Sequence, residues 1–162
     1  MAADPPHPLR DGRLVTLADV GEADAAEIPR LLEVAADPRG EAFARAHERP
    51  GAGAAIAARA LDDGALVGYA AWLADSGADA AFFCAVDPAL GGLGLGTLLV
   101  RRAAAKASDS GVRALHVALD PRARALAAML RDCGLRSRWD LEHPVARVEV
   151  LLGAPRPGWT TP

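Results

Sequence analysis

Ala80-Ala81-Phe82-Phe83-Cys84-Ala85-Val86-Asp87-Pro88-Ala89-Leu90-Gly91-Gly92-Leu93-Gly94-Leu95-Gly96-Thr97 decides how this chain is read. The run Ala80 to Val86 carries no charge and predicts a strand covered on both faces; Asp87-Pro88 ends it. Glycines at 91, 92, 94 and 96 lead into Thr97 to Ser108, where inward Leu95, Leu98 and Leu99 predict a helix that Asp109-Ser110-Gly111 stops. A strand, a glycine-rich turn and a helix N-terminus together make an anion site, because unpaired amide N–H groups converge there and the helix dipole adds about half a positive charge. Phosphate is the natural ligand. Two familiar phosphate loops do not fit. Gly96-Thr97 lacks the lysine of a P-loop, and the spacing Gly-x-Gly-x-Gly after a fourth strand is not the Gly-x-Gly-x-x-Gly that follows a first strand. A dinucleotide-binding domain is the third-ranked reading.

Working outward, Leu14 to Val20 predicts a first strand, and Glu22 to Ala36 predicts a helix from Ala25, Ile28, Leu31, Leu32 and Ala35. Glu41 to His47 predicts a short helix between loops. Ala54 to Leu61 and Ala65 to Leu73 flank Asp62-Asp63-Gly64, a strong hairpin signal, and Asp75 to Gly77 makes the next turn. After the glycine loop and its helix, Val112 to Leu119 predicts a fifth strand. Asp120-Pro121 then opens a helix whose inner face is Leu126, Met129, Leu130 and Cys133, with Gly134 as its stop. Leu135 to Leu141 and Val145 to Leu152 close the chain as strands around Glu142-His143-Pro144. The expected architecture is α/β (α+β): a mixed, mostly antiparallel central sheet of about seven strands with helices on both faces. It forms one domain over 13–152, between flexible tails at 1–12 and 153–162.

With 162 residues, 51% of them apolar, and a net charge of -3, the chain can bury one core without staples. No uncharged apolar run approaches the ~18 residues of a membrane helix. Met1 to Arg10 has no apolar core of a secretory signal, and Cys84 and Cys133 are too sparse for a disulfide framework, so a reducing cytoplasm is expected. Residues 1–90 carry 7 basic and 15 acidic side chains, and 91–162 carry 11 and 6. That balance argues against nucleic acid as a partner, while the basic second half suits a small phosphate-bearing ligand. The expected state is a monomer or homodimer without a membrane partner.

Val86-x-Pro88 followed by Gly91-x-x-Gly94-x-Gly96 and Leu98-Leu99 resembles the GNAT superfamily of acyl-CoA-dependent N-acyltransferases, whose signature is Gln/Arg-x-x-Gly-x-Gly/Ala. The order of predicted elements over 14–152 is similar to that fold. Met129-Leu130-Arg131-x-x-Gly134-Leu135 and Arg147-Val148-Glu149-Val150 look most like bacterial protein-lysine acetyltransferase domains. The resemblance implies acetyl-CoA, or another acyl-CoA, as cofactor. It implies that backbone amides around Gly91, Gly92, Leu93, Gly94, Leu95, Gly96 and Thr97 hold the diphosphate. It also implies that the strands on either side of the cofactor splay at a bulge, freeing the backbone of Cys84, Ala85 and Val86 for the pantetheine. The acceptor is then a primary amine, on a small molecule or a protein, attacking directly in a ternary complex.

The chain departs from the family where side chains do chemistry. The Gln or Arg before the loop is Gly91, and the position of the usual thiolate-protonating Tyr is Leu130, whose helical spacing says core. The usual basic Glu falls at Ala80, next to Asp79; one residue changes the face unless a bulge restores it. Asp79 is the candidate base. Tyr69 lies beside the expected acceptor channel, and Glu142, with His143, at its entrance. Arg101 and Arg102 are within reach of a phosphate. Strand His116 reads as a core residue, Cys84 as packing without a paired His, and no spacing of His, Cys and carboxylates marks a metal site. A CoA-binding or regulatory module that has lost its acid and base is the alternative.

Overall fold

The computed structural model describes residues 4–36, 39–47, 53–74, 77–119, 124–140 and 146–152. Eight strands form one sheet: β1 (His7–Pro8), β2 (Leu14–Asp19), β3 (Gly53–Ala60), β4 (Leu66–Ala74), β5 (Asp79–Val86), β6 (Ala114–Leu119), β7 (Arg136–Asp140) and β8 (Ala146–Leu151). Their order is β1-β2-β3-β4-β5-β6-β8-β7. Every pairing is antiparallel except β5 with β6. The eighth strand comes from a segment expected to be a tail: His7 and Pro8 pair with Val15 and Leu14, and Leu9 is buried in the core.

The helix expected over Glu22 to Ala36 is two helices, α1 (Glu22–Ala25) and α2 (Ile28–Ala35). Pro29, in the first turn of α2, has no N–H to continue α1. α3 (Arg39–His47) follows, and α2 and α3 cover one face of the sheet. α4 (Leu95–Asp109) covers the other, with α5 (Arg124–Asp132) packed on it. Alternation along β5 divides its side chains between the two cores. Ala80 and Phe82 join Leu95, Leu99 and Leu115 under α4, whereas Phe83 and Ala85 join Ile28, Leu32 and Tyr69 under α2 and α3. Leu130 of α5 is fully buried, as its spacing predicts. Among the described residues no helix is long and apolar enough to cross a membrane.

A partly buried ion network ties α1 and α2 to the hairpin. Asp24, 7% exposed, accepts from Gly21 N at 2.7 Å and from Arg59 Nε and Nη2 at 2.9 and 2.6 Å. Arg59 also binds Glu27 at 2.9 Å. Asp24→Ala leaves the Gly21 amide without its partner and removes two bonds from Arg59, which keeps Glu27 and Gly64 O, so chemical denaturation is expected to show a loss of about 1–3 kcal/mol. The bond from Arg59 also holds the Glu27 carboxyl below the usual carboxylate range. A folded-state value below the unfolded one means that this contribution is full above the ordinary Glu range and fades as pH falls through the lowered value.

Candidate functional site

β5 and β6 pair only from Asp79↔Ala114 to Ala81↔His116, after which they diverge. Phe82 to Val86 on one side and Val117 to Leu119 on the other therefore flank a gap. β4 holds the far edge of β5 in unbroken register from Ala80 to Val86. The expected bulge is absent from β5; the sheet's irregularity lies at Ala58/Arg59, between β3 and β4. The strands separate because β6 follows β8 instead, pairing with it over its whole length.

At the wide end of the gap the chain passes from β5 through a 3-10 turn, Pro88–Leu90, into the glycine loop. Gly94 caps α4 at φ +93°, and no side chain caps that end. Among the described residues, the amides of Gly92, Gly94, Leu95, Gly96 and Thr97 have no acceptor. The loop's carbonyls are engaged on another side, Gly92 O by Arg10 Nη1 and Leu93 O by Arg10 N, both at 3.1 Å. A Cβ on Gly92 or Gly94 would meet no protein atom within 4 Å, so the space beside those amides is open. Gly96 serves packing: a Cβ there would sit 2.5 Å from Met129 Sδ of α5. Gly91, at φ -59°, needs no special backbone freedom. The two α4 arginines are drawn elsewhere, Arg101 to Asp132 O at 3.2 Å and Arg102 to Asp4 at 2.9 Å.

At the narrow end, without any bulge, Asp79 points to the face opposite Ala80. There its Oδ2 lies 3.4 Å from Nε2 of His116. Glu149 of β8 stands directly across from His116, and the ligand atoms of Asp79, His116 and Glu149 all lie within 4.8 Å of one another, each side chain half-buried. The strand position of His116 predicts a core residue, and the chain spacing of these three residues marks no metal site. Three donors this far apart in the chain meet only through the register of β5, β6 and β8, and a strand histidine beside a candidate base was the sole signal.

Tyr69 is 1% exposed on the same face, tilted against Phe83 at 6.2 Å. Burial raises its phenol well above the usual range, so it stays neutral. It lines a cavity of about 540 Å³ between the sheet and α2 and α3, with Ile28, Leu32 and Ala55 as apolar wall and Asp19 and Glu41 among its polar residues. Asp19 is paired with Lys106, and Glu41 with Arg45 at 2.8 Å. Cys84 and Cys133 are free thiols. Burial, and next the neighbouring Cys133, push the Cys84 thiol up to about 12, which makes it packing and no nucleophile. Glu142 and His143 lie outside the described residues.

The model of the acetyltransferase (GNAT) family matches residues 22–135. The chain belongs to the GNAT acetyltransferase family. As a GNAT fold it superposes on the GNAT domain of Streptomyces lividans PAT with a TM-score of 0.71, at 19% identity, over 91% of this chain and 96% of that one. It superposes on a cAMP-binding acyltransferase from Mycobacterium smegmatis with a TM-score of 0.69 at 17% identity, covering 94% of this chain but 48% of that protein. Against the Salmonella typhimurium protein yncA, solved with its cofactor acetyl-CoA, the TM-score is 0.67 at 17% identity, over 88% and 98% of the two chains. No curated protein matches the sequence. The GNAT match spans the glycine loop and both strands of the gap, so the resemblance read from Gly91 to Gly96 agrees with it.

Proposed function

We propose that this GNAT acetyltransferase is an N-acyltransferase that moves an acetyl or other short acyl group from acyl-CoA to a primary amine, by direct attack in a ternary complex. One observation carries the reading: five amides without an acceptor gather at the mouth of a gap between parallel strands. A diphosphate satisfies such amides without any charged side chain in the loop. The loop from Gly91 to Thr97 would hold that group, and the free edge at Cys84, Ala85 and Val86 would pair with the pantetheine amides. Bound acyl-CoA supplies an acyl group already activated as a thioester.

The protonated Cys84 thiol supports attack without a covalent enzyme intermediate. His116 stands at the last paired position, where the gap begins, and is the proton acceptor for the amine. Asp79 Oδ2 stands 3.4 Å from Nε2 of His116, so the carboxylate acts by orienting the imidazole and stabilising its charge, with Nδ1 as the nitrogen that takes the proton. Neutral Tyr69 offers the acceptor a hydrogen bond from the cavity wall.

Acetyl-CoA at ~100 times its dissociation constant is expected to stabilise the fold by ~2.7 kcal/mol, read as a raised melting temperature. Thiol release in an amine panel then follows turnover. Binding with no release from any amine or protein lysate would leave a CoA-binding module, and stabilisation by NAD in its place would overturn the reading.

A further inference from the structure

The meeting of Asp79, His116 and Glu149 offers more than an oriented imidazole. His116 of β6 is paired with Ala81 of β5 on one side and with Glu149 of β8 on the other, and Asp79 stands two residues before Ala81 on the same face of its strand. Three neighbouring strands thus deliver two carboxylates and one imidazole nitrogen to a common point, with all ligand atoms within 4.8 Å of one another. The 3.4 Å between Asp79 Oδ2 and His116 Nε2 exceeds the roughly 2.7–2.9 Å of a charge-assisted hydrogen bond. It matches the edge of a tetrahedron whose centre lies about 2.0–2.2 Å from its nitrogen and oxygen donors, an edge of about 3.3–3.6 Å. Glu149 has no ion pair or side-chain hydrogen bond among the described residues, while Arg138, across from it on β7, is itself engaged. A neutral imidazole leaves the two carboxylates facing each other, and a divalent cation at the common point balances both charges. His116 and Asp79 are 34 and 25% exposed, so an ion can enter from solvent. The donor set selects the metal: imidazole suits zinc better than the oxygen-seeking magnesium, and three protein donors leave a fourth position for water.

We infer that Asp79, His116 and Glu149 bind a divalent cation of the zinc type, and that its binding inhibits acyl transfer. The inhibition rests on the reading of His116 as proton acceptor; the site itself does not. Zinc on Nε2 leaves the neutral ring with its proton on Nδ1, the nitrogen that would otherwise take the proton of the amine. The loop amides lie at the wide end of the gap and are untouched, so zinc and acyl-CoA bind together.

Isothermal titration of the ligand-free protein with zinc chloride tests the site on wild type, Glu149→Gln and Asp79→Asn. Wild type is expected to take up one zinc per chain, and each substitution to raise the dissociation constant about a hundredfold or more, since even the outer partners of a metal site are worth about 10–100-fold. Excess magnesium is expected to leave the zinc isotherm unchanged. No uptake by wild type, uptake of equal affinity in both variants, or displacement by magnesium overturns the site. The second readout is thiol release from acetyl-CoA with an amine that turns over. Zinc is expected to suppress it in wild type and, at the same concentration, to spare Glu149→Gln, whose turnover without zinc equals wild type. That variant also separates inhibition at the site from capture of zinc by the released thiol. Zinc bound at the site with turnover unchanged overturns the inhibition alone, whereas a wild type that binds zinc but releases thiol with no amine overturns the transferase reading and leaves the site standing. Melting temperatures of the zinc-free variants are expected to equal wild type, and Asp79→Asn decides the site if Glu149→Gln is unstable.

Discussion

Gly94→Val is expected to raise the dissociation constant for acetyl-CoA by about a hundredfold or more while the ligand-free protein stays folded. Gly94 sits at φ +93° as the cap of α4, where a β-branched residue is strained by on the order of 1–3 kcal/mol. The added Cβ would touch no protein atom within 4 Å, so the methyls enter the empty side of the loop. Relief of the strain requires the backbone to rotate, which turns the Gly94 and Leu95 amides out of convergence. Either route removes the cradle and leaves both cores intact. Gly96→Val is the control with the opposite signature: its Cβ meets Met129 Sδ at 2.5 Å, so the Met129 side chain must repack between α4 and α5 and the melting temperature of the ligand-free protein falls. Titration of both variants, with circular dichroism of each, separates the two roles. Affinity in Gly94→Val within about threefold of wild type would remove the loop from the cofactor site.

These glycines also mark how far the sequence could be read. Strand, loop and helix were legible because Asp87-Pro88 and the glycines punctuate an uncharged run and a helical one within thirty residues. The reading located the loop but could not divide its glycines, since the approach of Met129 to Gly96 and the open space at Gly94 depend on where α5 packs. The break between α1 and α2 was legible in principle at Pro29, where the apolar spacing of Ala25 and Ile28 outweighed the missing N–H. Arg10 was not legible. A stretch with three prolines and no apolar periodicity gives no local signal, and its place is fixed by pairing of His7 and Pro8 to an edge strand and by burial of one residue, Leu9. Asp79 was a candidate for its nearness to a family position, and the absence of a bulge gave its orientation a different meaning. Pointing away from the α4 core is what brings it to His116.

His116→Ala is expected to lower turnover by roughly 10²–10⁴-fold, the span that one positioned acid–base group supplies, without changing the affinity for acetyl-CoA. Affinity is spared because the loop amides lie at the wide end of the gap and His116 at its start. Asp79→Asn keeps the shape and removes the charge facing Nε2, so its loss is smaller and the two substitutions together cost less than the product of each alone. Solvent-exposed base residues would show no such coupling. A further readout distinguishes proton acceptance from a general disturbance of the sheet. Amines that are neutral at the assay pH need no base before attack, so the deficit of His116→Ala shrinks as acceptor basicity falls, whereas a misplaced acceptor or thioester penalises every amine equally. A deficit independent of acceptor basicity would return His116 to the core role its strand position first suggested, and would leave amine deprotonation to water entering through the cavity beside Tyr69.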